Sequence, residues 1–254
     1  MTAERPNILL IVGDQHRWDC VGAAGRIAVP TPHLDALAGE GAFFENAYTP
    51  APVCAPARQA LLSGLAPDSF GALWNPDFIP IRTLAPDDGY FTAALARAGY
   101  CCSLVGKWNS SLTHRPADFG FRNYIDWQEH KRLLAERYPR LEYKNGWFGE
   151  PSPVALADSP THWSARQACG LMAESSRTGE PWLVRVDFSD PHLPCHPSEP
   201  FASQIDRAAV KPWDSMDDPL DNKPYIQRQQ VLNWHLEGYT WANWQETVAC
   251  YQAM

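Results

Sequence analysis

The chain lacks any run of basic residues: Lys and Arg number 21 against 29 Asp and Glu, a formal net charge of −8 over 254 residues. The sequence-independent attraction to a phosphate backbone is therefore missing, which excludes nucleic acid as a partner. An anionic ligand would have to be held by local cations rather than by the overall field. Long apolar runs are absent too. Ile8 to Val12 ends at Gly13-Asp14, too short for a signal-peptide core or a membrane span. The expectation is a soluble, cytoplasmic chain with no membrane partner. No Cys-x-x-Cys pair occurs, and the seven cysteines are odd in number and scattered (Cys20, Cys54, Cys101, Cys102, Cys169, Cys195, Cys250). A disulfide framework and a structural zinc site are both disfavoured. No internal repeat or low-complexity tract is visible.

What is present is ordinary globular composition, 45% hydrophobic and 20% charged, with 11 Trp and 23 Pro. That balance predicts a loop-rich protein with aromatic-walled surfaces. Asn7 to Gly13 reads as a buried strand running into a loop. Thr31-Pro32 opens a helix through Leu34, Leu37 and Ala38, with Thr31 able to cap it and Gly39 and Gly41 marking its end. Phe43 to Tyr48 reads as a second strand. Pro50 to Pro56 is a Pro-rich loop, followed by a helix over Arg58 to Ser63. Asp88 to Ala98 is an amphipathic helix stopped by Gly99, and Tyr100 to Val105 a buried strand ending at Gly106. From Ser110 to Pro160 only a helix near Trp127 to Arg137 is assigned. Helical pattern returns at Trp163 to Ser175, a strand at Trp182 to Phe188, and a last helix from Tyr239 or Thr240 onward. Pro194 to Pro224 is a Pro- and Asp-rich excursion. Strands alternating with helices predict an α/β fold with a mostly parallel sheet sandwiched by helices. Asp14, Lys107 and His192 all fall just after strand ends, where ligands bind in open α/β sheets.

The strongest local signal is Pro52-Val53-Cys54-Ala55-Pro56-Ala57-Arg58-Gln59-Ala60-Leu61-Leu62-Ser63-Gly64. A loop delivers Cys54 to a helix N-terminus, where free N–H groups favour negative charge, and Arg58 follows one turn later. This Cys-x-Pro-x-Arg pattern resembles the signature of formylglycine-dependent sulfatases, of the alkaline phosphatase-like superfamily. Further segments resemble that family in order. Arg5 to Gln15 resembles its opening strand, Thr31 to Ala38 its next helix, Gly99 to Trp108 its second signature, and Asp187 to Pro194 its Pro-His-x-Pro loop.

The resemblance implies a sulfuric ester hydrolase acting on a small-molecule sulfate ester. Cys54 would be oxidised to Cα-formylglycine by a formylglycine-generating enzyme and act as nucleophile. Asp14, Gln15 and position 54 would hold one divalent metal, calcium before manganese or magnesium. Arg58 and Lys107 would offset charge on the sulfate oxygens, and His192 would protonate the departing alcohol. Two positions depart from the family pattern: Gln15 stands where many members carry a second Asp, and Asn109 where most carry His. Asn cannot shuttle a proton, so any base work there would need a substitute such as His114.

Family members are longer and carry, further on, an Asp-Asn or Asp-His pair followed by Gly that completes the metal site. Asp221-Asn222 is followed by Lys223 and does not match. Residues 1–254 are thus expected to form the N-terminal part of a catalytic domain whose C-terminal portion is absent. Such a truncated chain would by itself be inactive and poorly soluble, with an exposed sheet edge. A phosphonate or phosphate monoester hydrolase of the same superfamily remains an alternative, as does a non-catalytic fragment or pseudoenzyme. Choline, aryl and sugar sulfates all stay open as substrates.

Overall fold

Three apolar runs that the chain places far apart in sequence become neighbours in one parallel sheet. In the computed structural model, which describes residues 5–77 and 81–254, β1 is Ile8–Val12, β2 Cys101–Gly106, β3 Asn123–Asp126 and β4 Trp182–Asp187. The strand order is β1-β4-β2-β3, every pairing parallel. The helices are α1 Pro32–Glu40, α2 Cys54–Ser63, α3 Phe91–Arg97, α4 Trp127–Arg137, α5 Pro160–Thr178, α6 Phe201–Gln204, α7 Tyr225–Asn233 and α8 Trp241–Gln252.

Side-chain alternation splits the core into two layers. Leu104 and Leu183 point to one face and join Leu62 of α2 with Phe70, Leu84, Phe119 and Phe121. Val105, Val184 and Val186 point to the other and pack on Ala168 and Leu171 of α5. β2 is buried along its whole length, whereas β1 lies at the sheet's edge with Leu9 and Ile11 exposed. A third cluster joins Val248 and Ala249 of α8 to Ile205 and Val210.

The architecture is the expected α/β fold, with local differences; α6 and α7 fall where no helix is expected. Phe43 to Tyr48 forms no strand; Phe44 and Tyr48 are exposed, so this β-branched-poor aromatic stretch has no sheet to join. The fourth strand is instead Asn123–Asp126, whose polar residues conceal it. Helix α2 begins at Cys54, not Arg58, because Pro56 fits a first helical turn. Thr31 does not cap α1. Its hydroxyl accepts from Gly22 N–H (2.7 Å) and donates to Asp35 (2.8 Å), tying the helix to the preceding loop. Among the described residues no helix is long and apolar enough to cross a membrane.

One close approach fixes the end of the sheet. Gly106 has φ +102°, and a Cβ built on it would sit 2.1 Å from the carbonyl oxygen of Asp187. Only glycine allows both the left-handed backbone and that contact. Gly106→Ala should therefore cost about 2–4 kcal/mol in chemical denaturation. Gly39→Ala, in α1 where an added Cβ meets nothing, should instead be neutral or gain about 0.5–1 kcal/mol.

Candidate active site

Strand register assembles the site. Val12 of β1 and Gly106 of β2 both lie opposite Asp187 of β4, so the residues that follow them emerge side by side. Asp14 N–H donates to Asp190 O (3.3 Å), Phe188 N–H to Val12 O (2.9 Å) and Lys107 N–H to Asp187 O (3.1 Å). Above this end sits the N-terminus of α2, with Cys54 as its first residue and Arg58 one turn on. The Ala55 N–H donates to the Asn75 side chain (2.9 Å), satisfying one of the turn's otherwise unpaired donors.

The charged groups form one connected set. Asp14 Oδ2 accepts from Lys107 Nζ (2.7 Å) and Arg58 Nη2 (3.1 Å), while Oδ1 lies 3.8 Å from Cys54 Sγ. Arg58 Nη1 donates to Asp187 Oδ2 (2.5 Å) and to the Lys107 carbonyl (3.2 Å). Asp187 in turn is gripped by Arg185, Nε to Oδ1 and Nη2 to Oδ2, each at 2.7 Å. Asp14, Arg58, Arg185 and Asp187 are all buried, and Lys107 is partly exposed towards the cleft.

His192 completes the group. One ligand-type atom each from Asp14, Cys54 and His192 lies within 4.8 Å of the others. His192 Nδ1 pairs with its neighbour's carbonyl, Leu193 O, at 2.5 Å, an arrangement in which Nδ1 donates and Nε2 is left for other partners. The pairing of His192 with Cys54 holds the thiol below and the imidazole above its ordinary pKa; burial opposes both shifts. For Asp14, burial pushes the carboxyl up, but Lys107 and then Arg58 outweigh it and hold the group below the usual range.

These residues line an open cleft of about 2270 Å³. Gln15 lies on its wall, exposed, with φ 64° and its carbonyl taken by the Tyr251 hydroxyl (2.6 Å). Asn109, at φ 44°, also lines it. His114 reaches the cleft but packs its ring against Phe119 (6.3 Å between centroids) and is not part of the Asp14–Cys54–His192 group. Cys195 and His196 stay apart from the site: Cys195 is buried against Pro191 O, and His196 stacks on Tyr143 at 3.5 Å.

The donor set fits a divalent cation in part. Asp14 Oδ1 is free of the two cations that occupy Oδ2, and an oxygen-bearing side chain at position 54 would face it. Hard cations want about six or more oxygen ligands, and the described residues gather one carboxylate, a thiol and an imidazole. Sequence spacing alone gives Asp14 no cationic partner; the fold packs Arg58 and Lys107 on it.

Several cleft residues were not foreseen. Ile226, Gln229, Gln230, Asn233 and Trp234 line the cleft from α7 and the residue after it, a set spaced as one helical face. Trp147 bridges this wall to the centre, its ring edge-on to both His192 (6.1 Å) and Trp234 (6.2 Å). The helical spacing was a usable signal, but the face is amide-rich and shows no apolar period.

The pairing of His192 with Cys54 has a measurable consequence. Because the folded-state value of His192 is raised, its protonated form contributes stability in full below the unfolded-state pKa. That contribution fades as pH rises through the folded-state value. In Cys54→Ala the His192 titration, followed by NMR of the ring, should move down towards the ordinary histidine value.

Comparison with known proteins places this geometry. A sulfatase family model matches residues 6–250. An ulvan-active sulfatase of Formosa agariphila is 31% identical over 204 residues, covering 77% of this chain and 37% of that protein. Human N-acetylgalactosamine-6-sulfatase is 36% identical over 225 residues, covering 80% and 42%. In fold, the phosphonate monoester hydrolase of Agrobacterium radiobacter superposes with a TM-score of 0.72 at 22% identity, over 98% of this chain and 56% of that one. The chain spans between 37% and 51% of the length of the curated relatives it matches. With the family pattern running along nearly the whole chain on an alkaline phosphatase-like fold, this protein belongs to the sulfatase family.

Proposed function

We propose that the chain carries the nucleophile half of a hydrolase that cleaves a sulfate monoester to an alcohol and sulfate. The observation that supports this best is the convergence of Cys54, Arg58, Lys107, Asp14 and His192 on one point at the sheet's carboxyl end. Arg58 and Lys107 bind the sulfate oxygens and orient sulfur towards position 54. Both cations are already held by Asp14, so little reorganisation is needed on binding. His192, with Nδ1 committed to Leu193 O, turns Nε2 to the departing alcohol. Once the thiol at position 54 is replaced, the Leu193 carbonyl and the Asp14 carboxylate still favour the protonated imidazole, which holds a proton for that oxygen. Trp147 sets its ring edge-on beside the imidazole.

As formylglycine, position 54 supplies a hydrated aldehyde, one hydroxyl to displace the alcohol and a second to release sulfate, which a thiol cannot do. Asp14, Gln15 and position 54 would hold a divalent cation, calcium by family resemblance, which would supply further positive charge to the site. A formylglycine-generating enzyme is then a necessary partner, and the setting is cytoplasmic. Free cysteines at all seven positions suit such a reducing compartment. The alcohol is a sugar: Gln229, Gln230 and Asn233 offer hydrogen bonds to hydroxyls, and Trp147 and Trp234 offer aromatic faces. One relative is named for a sulfated amino sugar.

The test uses the full-length protein as its gene encodes it, co-expressed with a formylglycine-generating enzyme. The Cys54 peptide should be lighter than the thiol form by mass spectrometry, and the protein should turn over sulfate esters faster than phosphonate esters. Cys54→Ala should abolish turnover and Lys107→Ala lower it by about 10²–10³-fold. Unmodified Cys54 throughout, or a preference for phosphonates, would sink the proposal. Asp14→Asn should also remove calcium binding measured by calorimetry.

A further inference from the structure

Arg185 is fully buried in the middle of an otherwise apolar strand, and its Nη1 has no hydrogen-bond partner among the described residues. Asp187, two residues on, is 1% exposed. A buried ion pair of this kind rarely gains net stability over apolar side chains of similar volume, and an unpaired guanidinium N–H makes the balance worse. Its justification has to be sought in what the pair holds.

Strand alternation supplies the answer. Leu183, Arg185 and Asp187 share the face of β4 that looks at α2, and Leu183 packs with Leu62 there. Asp187 therefore meets Arg58, also on α2. The result is a chain of alternating sign: Arg185, Asp187, Arg58, Asp14, Lys107. Arg58 has five N–H donors. Both on Nη1 are used, by Asp187 Oδ2 and Lys107 O, and one on Nη2 by Asp14. Nε–H and the second Nη2–H have no partner among the described residues. The two carboxylates thus decide which edge of the guanidinium stays open. Asp187 also accepts the Lys107 N–H with its backbone oxygen, so one residue sets both cations of the anion site.

We propose that Asp187 and Arg185 are positioning residues. Asp187 orients the Arg58 guanidinium so that its two open N–H groups meet an oxyanion, and Arg185 locks Asp187 by a two-pronged contact that fixes its carboxylate. This role rests on the reading of Arg58 and Lys107 as an anion site. Neither residue touches the substrate.

The probe is inorganic sulfate, titrated calorimetrically into the full-length protein, alongside the Arg58 guanidinium NMR signal assigned with Arg58→Lys. Asp187→Asn should weaken sulfate binding by about 10- to 100-fold and merge the separate Arg58 N–H signals into an averaged one. The double variant Arg185→Met with Asp187→Leu removes the buried charges together. Its melting temperature should recover, while sulfate binding stays weak. Arg185→Lys keeps the charge but not the fork, and is the mildest variant, expected to weaken sulfate severalfold. A folded double variant that binds sulfate within twofold of wild type would show the pair to be mere packing and overturn the positioning role. Unchanged Arg58 signals in both Asp187→Asn and Arg185→Lys would overturn it equally. A wild-type chain that binds no sulfate would overturn the anion-site reading as well, so the two failures are told apart.

Discussion

The carboxylate of Asp14 is the constraint on which the rest of the site depends. It is almost fully removed from water yet stays ionised, because Lys107 and Arg58 share one of its oxygens. It is one of two carboxylates on Arg58 and the carboxylate that meets Lys107, and without these cations burial would push its pKa up. Each of the three comes from a different segment: the end of β1, the end of β2 and the first turns of α2. The ion cluster therefore forms only when the sheet is in register and α2 is docked. Site and fold are one cooperative object at this corner of the molecule.

That dependence explains why the sheet's carboxyl end is built so tightly. Gly106 is the only residue type that lets β2 pass the Asp187 carbonyl, and the passage aims Lys107 at Asp14. On the far side, the turn after β4 returns Asp190 O to the Asp14 N–H and carries His192 round to Cys54. The backbone thus fixes carboxylate, ammonium and imidazole before any side-chain choice is made. The remaining wall is different in kind. α7 has no buried residue and meets the cleft through amides and Trp234, the sort of surface that can vary without disturbing the core.

Much of this was legible beforehand, for identifiable reasons. The runs Ile8 to Val12 and Tyr100 to Val105 stand out by mostly apolar character, as buried parallel strands do, and Trp182 to Phe188 by the same character interrupted at Arg185 and Asp187. Helix α4 matched its expected bounds because its charged periodicity is strong and Asp126 caps it. The strand at Asn123–Asp126 was hidden because an edge strand need not be apolar on both faces. Phe43 to Tyr48 misled for the opposite reason: its aromatic residues fit a strand, but nothing in the described chain pairs with it. The alternating charges of Arg185 and Asp187 were visible within a buried strand, and charges so placed must be paired. What could not be read was their partner.

The sequence by itself determined the chemistry available: a cysteine in a loop-to-helix motif, an arginine one turn later, and a carboxylate, a lysine and a histidine each just past a strand. Those are local facts, set by residue identity and by spacings of a few positions. Tertiary structure alone decided which of them meet and in what electrical state. The Asp14 carboxylate is held low by groups 44 and 93 positions away, and Cys54 and His192 shift each other's protons across the whole domain. Electrostatic energy depends on distance in space and on the water excluded between charges, and neither is written in the order of the chain.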